Sequence, residues 1–156
     1  MKKYHVLAIL VAIISISLTS CKNDEKREID DRNTYLETNN IDVAPTASGL
    51  YYVETLAGTG VQAKAGDEVK VHYKGMFLDG TVFDSSIAKE EPLRFQLGVG
   101  DVIKGWDEGI ALMNVGGKAT LVVPSDLAYG SGGFSIIPPY STLVFEVELL
   151  EIMPPK

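Results

Sequence analysis

The sequence predicts an α+β fold in which an antiparallel sheet curls around one short amphipathic helix. Three observations carry this. Apolar residues recur with period two in separate runs from Gly49 onward. A single stretch, Lys104 to Met113, shows helical spacing instead, with Trp106, Ile110 and Met113 on one face. The dipeptide Asp79-Gly80, between two β-rich runs, supplies a tight turn that makes its flanking strands antiparallel. Several antiparallel strands and one short helix can bury their apolar faces only if the sheet wraps the helix.

In order, Leu50 to Leu56, Val69 to Phe77, Leu93 to Leu97, Ala119 to Val123 and Thr142 to Ile152 are read as strands, and Val82-Phe83 begin the return strand after the Asp79-Gly80 turn. Val69, Val71 and Tyr73 alternate onto one strand face, so Tyr73, Phe83 and Asp84 are expected to meet on one buried face. Asn114, Gly116 and Gly117 terminate the helix. Gly130-Ser131-Gly132-Gly133 is expected to be a flexible flap rather than a phosphate loop, because the later glycine or lysine of such loops is missing.

Of the 156 residues, the first 45 or so differ in character from the rest, which leaves one domain of about a hundred residues. Residues 1–20 carry Lys2 and Lys3, then an apolar run from Val6 to Leu18 that is too short to cross a bilayer core of roughly 30 Å as a helix. This segment is expected to be a cleaved secretory signal. Leu18-Thr19-Ser20 before Cys21 is similar to the bacterial lipoprotein processing site, which implies a diacylated Cys21 as mature amino terminus. The plainer alternative is a secreted protein with a free thiol. With no second cysteine, no intramolecular disulfide or CxxC redox site can form. Residues 21–48 are polar, with DEKREIDDR near their start, and are expected to form an acidic tether; Ile29, Tyr35 and Leu36 allow a short helix between Asp24 and Glu37. Lys22 after the cysteine lacks the aspartate that marks inner-membrane retention in enteric bacteria, so an outer-membrane lipoprotein is expected, and CKNDE resembles the surface-export signals of some gliding and gut bacteria.

Charge and residue inventory exclude most chemistries. Without Lys2 and Lys3 the chain carries 12 Lys+Arg against 21 Asp+Glu, and no basic cluster accompanies an aromatic platform, so nucleic acid is not an expected partner. His5 leaves with the signal, which leaves His72 alone among histidines and Cys21 acylated. Histidine-based zinc sites and cysteine nucleophiles are thereby excluded, no GxSxG elbow suggests a serine triad, and neither metal nor cofactor is expected. What remains is an apolar, aromatic cavity with few polar groups.

Val69 to Ser86, VKVHYKGMFLDGTVFDSS, read with GWDEG at Gly105 to Gly109, LAYG at Leu127 to Gly130 and IIPPYSTLVFEVEL at Ile136 to Leu149, closely resembles the FKBP-type peptidyl-prolyl isomerases. The resemblance runs from about Gly49 to Ile152, assigns residues 49–153 to an FKBP-like isomerase domain, and agrees with the fold reached from periodicity. It implies that the Trp106 indole floors a proline pocket walled by Tyr73, Phe83, Val102, Ile103 and Phe145, with Phe134 and Ile137 contributing substrate contacts from the flap. It further implies that the Tyr129 hydroxyl donates to the carbonyl preceding proline, that the Ile103 N–H holds a ligand carbonyl, and that Asp84 polarises the site beside Tyr73. Simpler roles exist for each: Trp106, Phe83 and Phe145 as core, Asp84 as a turn cap and Tyr129 as a loop anchor. Lys89 stands where well-known members place an arginine that pairs with the aspartate and tyrosine, and a point charge lacks that residue's planar fork. Leu93 stands where some members have a pocket phenylalanine, and the flap between Gly130 and Ile136 is one residue shorter than in the small human member, with Phe134 near that member's histidine.

The implied function is cis-trans isomerisation of Xaa-Pro bonds in exported proteins, assisting folding in the cell envelope, by a monomer whose partners are proline-containing segments, macrolide inhibitors and, through its lipid, a membrane. Two other classes stay open: a proline-segment binding module without useful turnover, and a chaperone holding unfolded chains on its flap.

Overall fold

A computed structural model describes residues 22–153. The expected signal at residues 1–20 and the acylated Cys21 lie outside the described residues. A helix, α1, covers residues 22–38. It is followed by β1 (Tyr51–Leu56), β2 (Glu68–Met76), β3 (Val82–Ser85), β4 (Leu93–Gln96), α2 (Lys104–Ala111), β5 (Lys118–Val123) and β6 (Leu143–Met153). The strands form one antiparallel sheet in the order β1-β5-β6-β2. The remaining edge of β2 is shared: β4 pairs with its first half, Val69 opposite Phe95, and β3 with its last, Lys74 opposite Ser85. Between them Tyr73 would lose its ladder partner, and Ser86 replaces it. The Ser86 N–H donates to the Tyr73 carbonyl at 3.1 Å, and the Tyr73 N–H donates to Ser86 Oγ at 2.8 Å.

The expected elements are present, with boundaries displaced by a residue or two. The Asp79-Gly80 turn forms as read: Asp79 Oδ1 accepts the Thr81 N–H at 2.9 Å and Gly80 takes a φ of 84°, open to glycine at no steric cost. Helix α2 ends at Ala111 rather than Met113, because the Leu112 and Met113 N–H groups bond three residues back, to Gly109 and Ile110, and tighten the last turn. Trp106, Ile110 and Met113 are all buried, as their spacing predicts.

Glycine sets how closely α2 lies on the sheet. A Cβ on Gly105 would fall 2.5 Å from Val123 Cγ1, and one on Gly109 would fall 2.8 Å from Leu121 Cδ2. Both glycines face β5 one turn apart, so the helix backbone seats directly on two β5 side chains. Around this contact Leu50, Val69, Val71, Leu97, Leu143, Val147 and Leu149 close the main core.

The amino-terminal segment departs from the expectation of a tether. Residues 22–38 are helical, and Leu36 packs against Val122 and Val144 on the sheet face opposite α2, joined by Tyr35, Ile41, Tyr51, Met76 and Leu78. The helix stops in a left-handed cap: Asn40 has a φ of 54°, the Ile41 N–H donates to the Leu36 carbonyl at 2.9 Å, and the Asn40 N–H donates to the Glu37 carbonyl at 3.2 Å. This is the double bond of a Schellman closure, and Ile41 and Leu36 make its apolar contact. Polar composition suggested a free segment because it cannot reveal that Glu28 spends its charge inside the protein, where it is 7% exposed.

Candidate active site

A cavity of about 190 Å³ opens between α2, the β3 edge and the loop after β5. Tyr73 from β2, Phe83 and Asp84 from β3, Val102, Ile103 and Trp106 at the start of α2, Tyr129 from the β5–β6 loop and Phe145 from β6 line it, together with Leu93 and Asp101. The expected walls and polar groups are thus brought together from five elements.

Two features of the backbone make this possible. Phe83 and Asp84 are adjacent in sequence and would face opposite sides of a regular strand. In the β2·β3 pairing, however, Gly75 lies opposite Asp84 while Met76 lies opposite Val82, which leaves Phe83 as an extra residue. Such a bulge re-aims the side chain next to it, and Phe83 and Asp84 both reach the cavity. Gly75 then leaves the volume for the rings, since a Cβ there would fall 2.7 Å from Phe83 Cζ and 3.0 Å from Phe145 Cε1.

The apolar wall is an aromatic cluster with edge-to-face geometry. Trp106 meets Tyr73 at a centroid distance of 5.0 Å and 77°, and Phe145 at 5.3 Å and 87°; Phe145 in turn meets Phe83 at 5.8 Å and 89°. Each such contact places a ring edge on a π face and fixes the next ring, so the wall is held before any ligand enters. Trp106 is 4% exposed, and its Nε1–H has no hydrogen-bond partner among the described residues. An unpaired buried donor of this kind costs roughly 1–3 kcal/mol, a cost carried here at the site and not in the general core.

Asp84 is the organising charge. Its Oδ2 accepts the Tyr73 hydroxyl at 2.6 Å, its Oδ1 accepts the Ser85 N–H at 2.8 Å, and Lys89 Nζ stands 2.5 Å from Oδ1. Lys89 therefore makes the pairing expected of an arginine, through a single oxygen. Burial alone would raise the Asp84 pKa, but the donors from Lys89, Tyr73 and Ser85 together hold it below the usual carboxylate value. The same contact, with burial as the larger cause, pushes the Tyr73 phenol far above its ordinary value, so it remains a donor at all physiological pH. Burial, and then the Asp84 charge, also raise the Tyr129 phenol.

Helix α2 is anchored from below. Its first-turn Asp107 accepts the Gly98 N–H at 2.7 Å and the Gly100 N–H at 3.0 Å, which fixes the loop leading to Asp101, Val102 and Ile103. Ile103 sits at the N-cap in extended conformation, with its carbonyl accepting the Trp106 N–H at 2.9 Å. No backbone partner among the described residues takes its own N–H.

Two expected contact residues stand apart from the cavity. Phe134 and Ile137 bond to each other through both backbone groups, at 2.9 and 2.8 Å, and this tight bend sends them in different directions. Ile137 turns into the core at 7% exposure, whereas Phe134, 63% exposed, stacks on the outer side of the site against Tyr129 at 5.2 Å and 13°. Phe134 thus meets the site through the Tyr129 ring. Asp101 was missed by sequence reasoning; its position immediately before Val102-Ile103 was the available signal. His72 hydrogen-bonds Ser86 at 3.0 Å through Nδ1 and does not line the cavity, in keeping with its opposite strand face.

Chemically, the lining presents no base beside a nucleophile and no imidazole or thiol. It offers an aromatic slot the size of a small ring, the carboxylates of Asp84 and Asp101, and phenolic donors. The family model described as FKBP-type peptidyl-prolyl cis-trans isomerase matches residues 60–150. The FK506-binding protein of Neisseria meningitidis serogroup B is 50% identical over 105 residues, covering 67% of this chain and 96% of that protein. The peptidyl-prolyl cis-trans isomerase FPR2 of Saccharomyces cerevisiae is 55% identical over 94 residues, covering 59% of this chain and 70% of that protein. Among solved structures, FkpA from Escherichia coli superposes with a TM-score of 0.78 at 37% identity, covering 99% of this chain and 72% of that one. Matched through the strands and helix that build the cavity, and half identical to a relative it covers almost end to end, the chain belongs to the FKBP-type peptidyl-prolyl cis-trans isomerases.

Proposed function

We propose that this isomerase acts on Xaa-Pro bonds of exported proteins at the bacterial cell envelope, held there by lipid on Cys21. The observation that carries the catalytic part is the pre-built aromatic cavity with the compensated Asp84 carboxylate. Rotation about an Xaa-Pro bond faces a barrier of roughly 20 kcal/mol, set by resonance that gives the planar amide a charge-separated character. The twisted transition state has less of it. A slot that replaces water by Trp106, Phe83 and Phe145 therefore disfavours the planar amide more than the twisted one.

In this reading the proline ring rests on Trp106, and the Tyr129 hydroxyl donates to the carbonyl that precedes it. The Ile103 N–H takes a second carbonyl and fixes the segment's direction. Asp84 acts as a fixed charge whose orientation is set by Tyr73 and Lys89, so no proton need move during the turn. The name FK506-binding protein, carried by the Neisseria relative, supports the further proposal that this cavity accepts the same macrolide.

The envelope part rests on the sequence: Lys2 and Lys3, the apolar run to Leu18, and the Leu18-Thr19-Ser20-Cys21 site. Metabolic labelling with a fatty acid tests it. Label in the parent and none in Cys21→Ser, with the variant released from the membrane fraction, is the expected result. An unlabelled parent contradicts the anchor and leaves the isomerase untouched. Slow folding of exported chains gives the activity its use, since uncatalysed isomerisation takes roughly 10 to 100 s at 25 °C.

A further inference from the structure

Glu28 lies on α1, outside the cavity, yet it is among the most completely satisfied side chains of the protein. Its Oε1 accepts the Ser125 N–H at 2.7 Å and the Thr142 hydroxyl at 2.8 Å, and its Oε2 accepts the Ser125 hydroxyl at 2.6 Å. Arg32, one helical turn on, places Nη1 3.7 Å from Oε1 and balances the charge. Glu28, Ser125 and Thr142 are 7%, 3% and 3% exposed. Charge-assisted bonds in such a dry place are the strong ones.

The two residues it grips are the two ends of one loop. Ser125 follows β5 after Pro124 and Thr142 precedes β6, and the chain between them carries Tyr129 into the cavity and Phe134 onto the Tyr129 ring. Inside the loop the bonds are local: the Tyr140 N–H to the Gly130 carbonyl at 3.0 Å, and the Phe134–Ile137 pair. Gly130-Ser131-Gly132 forms one short 3-10 turn, with φ of 63° at Gly130 and 64° at Gly133. The β5·β6 ladder ends at the Val123–Leu143 pair, and just beyond it one carboxylate on a distant helix ties both roots of this loop together.

We propose that Glu28 is a positioning residue for the isomerase site: it clamps both roots of the Ser125–Thr142 loop, so that docking of α1 sets how well Tyr129 and Phe134 are pre-ordered for substrate. The inference rests on the isomerase reading of the cavity. When the clamp is released, the loop samples several arrangements and only a fraction of molecules are ready to bind. Apparent affinity falls by that fraction, while bound substrate restores the order. The signature is thus a rise in KM with kcat nearly unchanged.

The test uses the full chain carrying Glu28→Ala, and separately Thr142→Val, which removes one bond and leaves Glu28 paired with Arg32. Backbone amide exchange across residues 129–140 should quicken about tenfold in Glu28→Ala and about threefold in Thr142→Val, with the β2 and β6 amides within twofold of the parent. KM for a Leu-Pro peptide should rise by similar factors, and kcat should stay within twofold. Unchanged loop amides and KM in Thr142→Val overturn the proposal even if Glu28→Ala fails to fold, and so does a fall in kcat at constant KM. Amide exchange needs no turnover, so a parent protein without activity would remove the isomerase reading while the loop measurement still decided the clamp.

Discussion

The Tyr73 hydroxyl donates to Asp84 Oδ2 at 2.6 Å across the β2·β3 pairing, and this bond adds to burial on Tyr73 and to the Lys89 contact on Asp84 in shifting both ionisations. Asp84 is held ionised below the ordinary carboxylate range and Tyr73 is held protonated above the ordinary phenol range. A depressed carboxylate pKa contributes stability that is complete above the unfolded value of about 3.9 and is lost as pH falls through the folded value. Through Asp84 the melting temperature should therefore not vary with pH near neutrality and should decline on this account only below about pH 4. In Asp84→Asn that part of the acid limb should flatten. The side chain is 36% exposed, so solvent screening keeps the effect to roughly 1 kcal/mol or less. Thermal scans of both proteins between pH 2 and 6 check it; parallel curves throughout would remove the linkage.

Gly75→Ala should damage the site with little effect elsewhere. The added methyl falls 2.7 Å from Phe83 and 3.0 Å from Phe145, so both rings must shift. Overpacking of this kind costs about 1–3 kcal/mol, and the cavity changes shape. Activity on a Leu-Pro peptide should fall at least about tenfold, with far-ultraviolet circular dichroism unchanged at 25 °C. Retained activity would mean that the aromatic wall tolerates displacement.

Tyr129→Phe keeps the ring and its stack on Phe134 but removes the donor. A neutral hydrogen bond is worth about 0.5–1.5 kcal/mol net, so kcat/KM should drop between about two- and tenfold. Unchanged kcat/KM in a natively folded variant would take the hydroxyl out of the mechanism.

Leu36→Ala tests the docking of α1. Leu36 is 9% exposed in a small cluster with Val122 and Val144, and truncation of such a residue costs at least about 2 kcal/mol. Urea unfolding should show a lower midpoint, and exchange of the 22–38 amides should quicken more than that of β6. A midpoint equal to the parent's would mean that this contact carries no stability.

Part of the core was legible because the first half of β2 and the buried face of α2 each obey one period. Val69 and Val71 on β2 and Trp106, Ile110 and Met113 on α2 follow from spacing alone. The site was legible only in combination, since Phe83 and Asp84 share the cavity through a bulge that no single residue announces. The helix allowed between Asp24 and Glu37 is present, whereas its docking was hidden by the charge of the segment, yet a signal existed. Leu121-Val122-Val123 and Leu143-Val144-Phe145 break the alternation of β5 and β6, the mark of strands covered on both faces, and α1 supplies the second cover. The Glu28 contacts to Ser125 and Thr142 join residues 97 and 114 positions away, a separation that local pattern cannot bridge. Phe134 and Ile137 were assigned to the pocket as a pair, and the bend between them sends one into the core and the other to the Tyr129 ring.

The most direct test of the central claim is two-dimensional exchange NMR on a short Leu-Pro peptide with catalytic amounts of the protein, its Asp84→Ala variant, and the protein with the macrolide FK506. The account predicts cis-trans cross-peaks that grow far faster with the parent than without it, and that return toward the uncatalysed rate in the variant and with the macrolide. Peptide binding with no acceleration of exchange by the parent would contradict it, and would make the aromatic cavity a proline-gripping module without turnover.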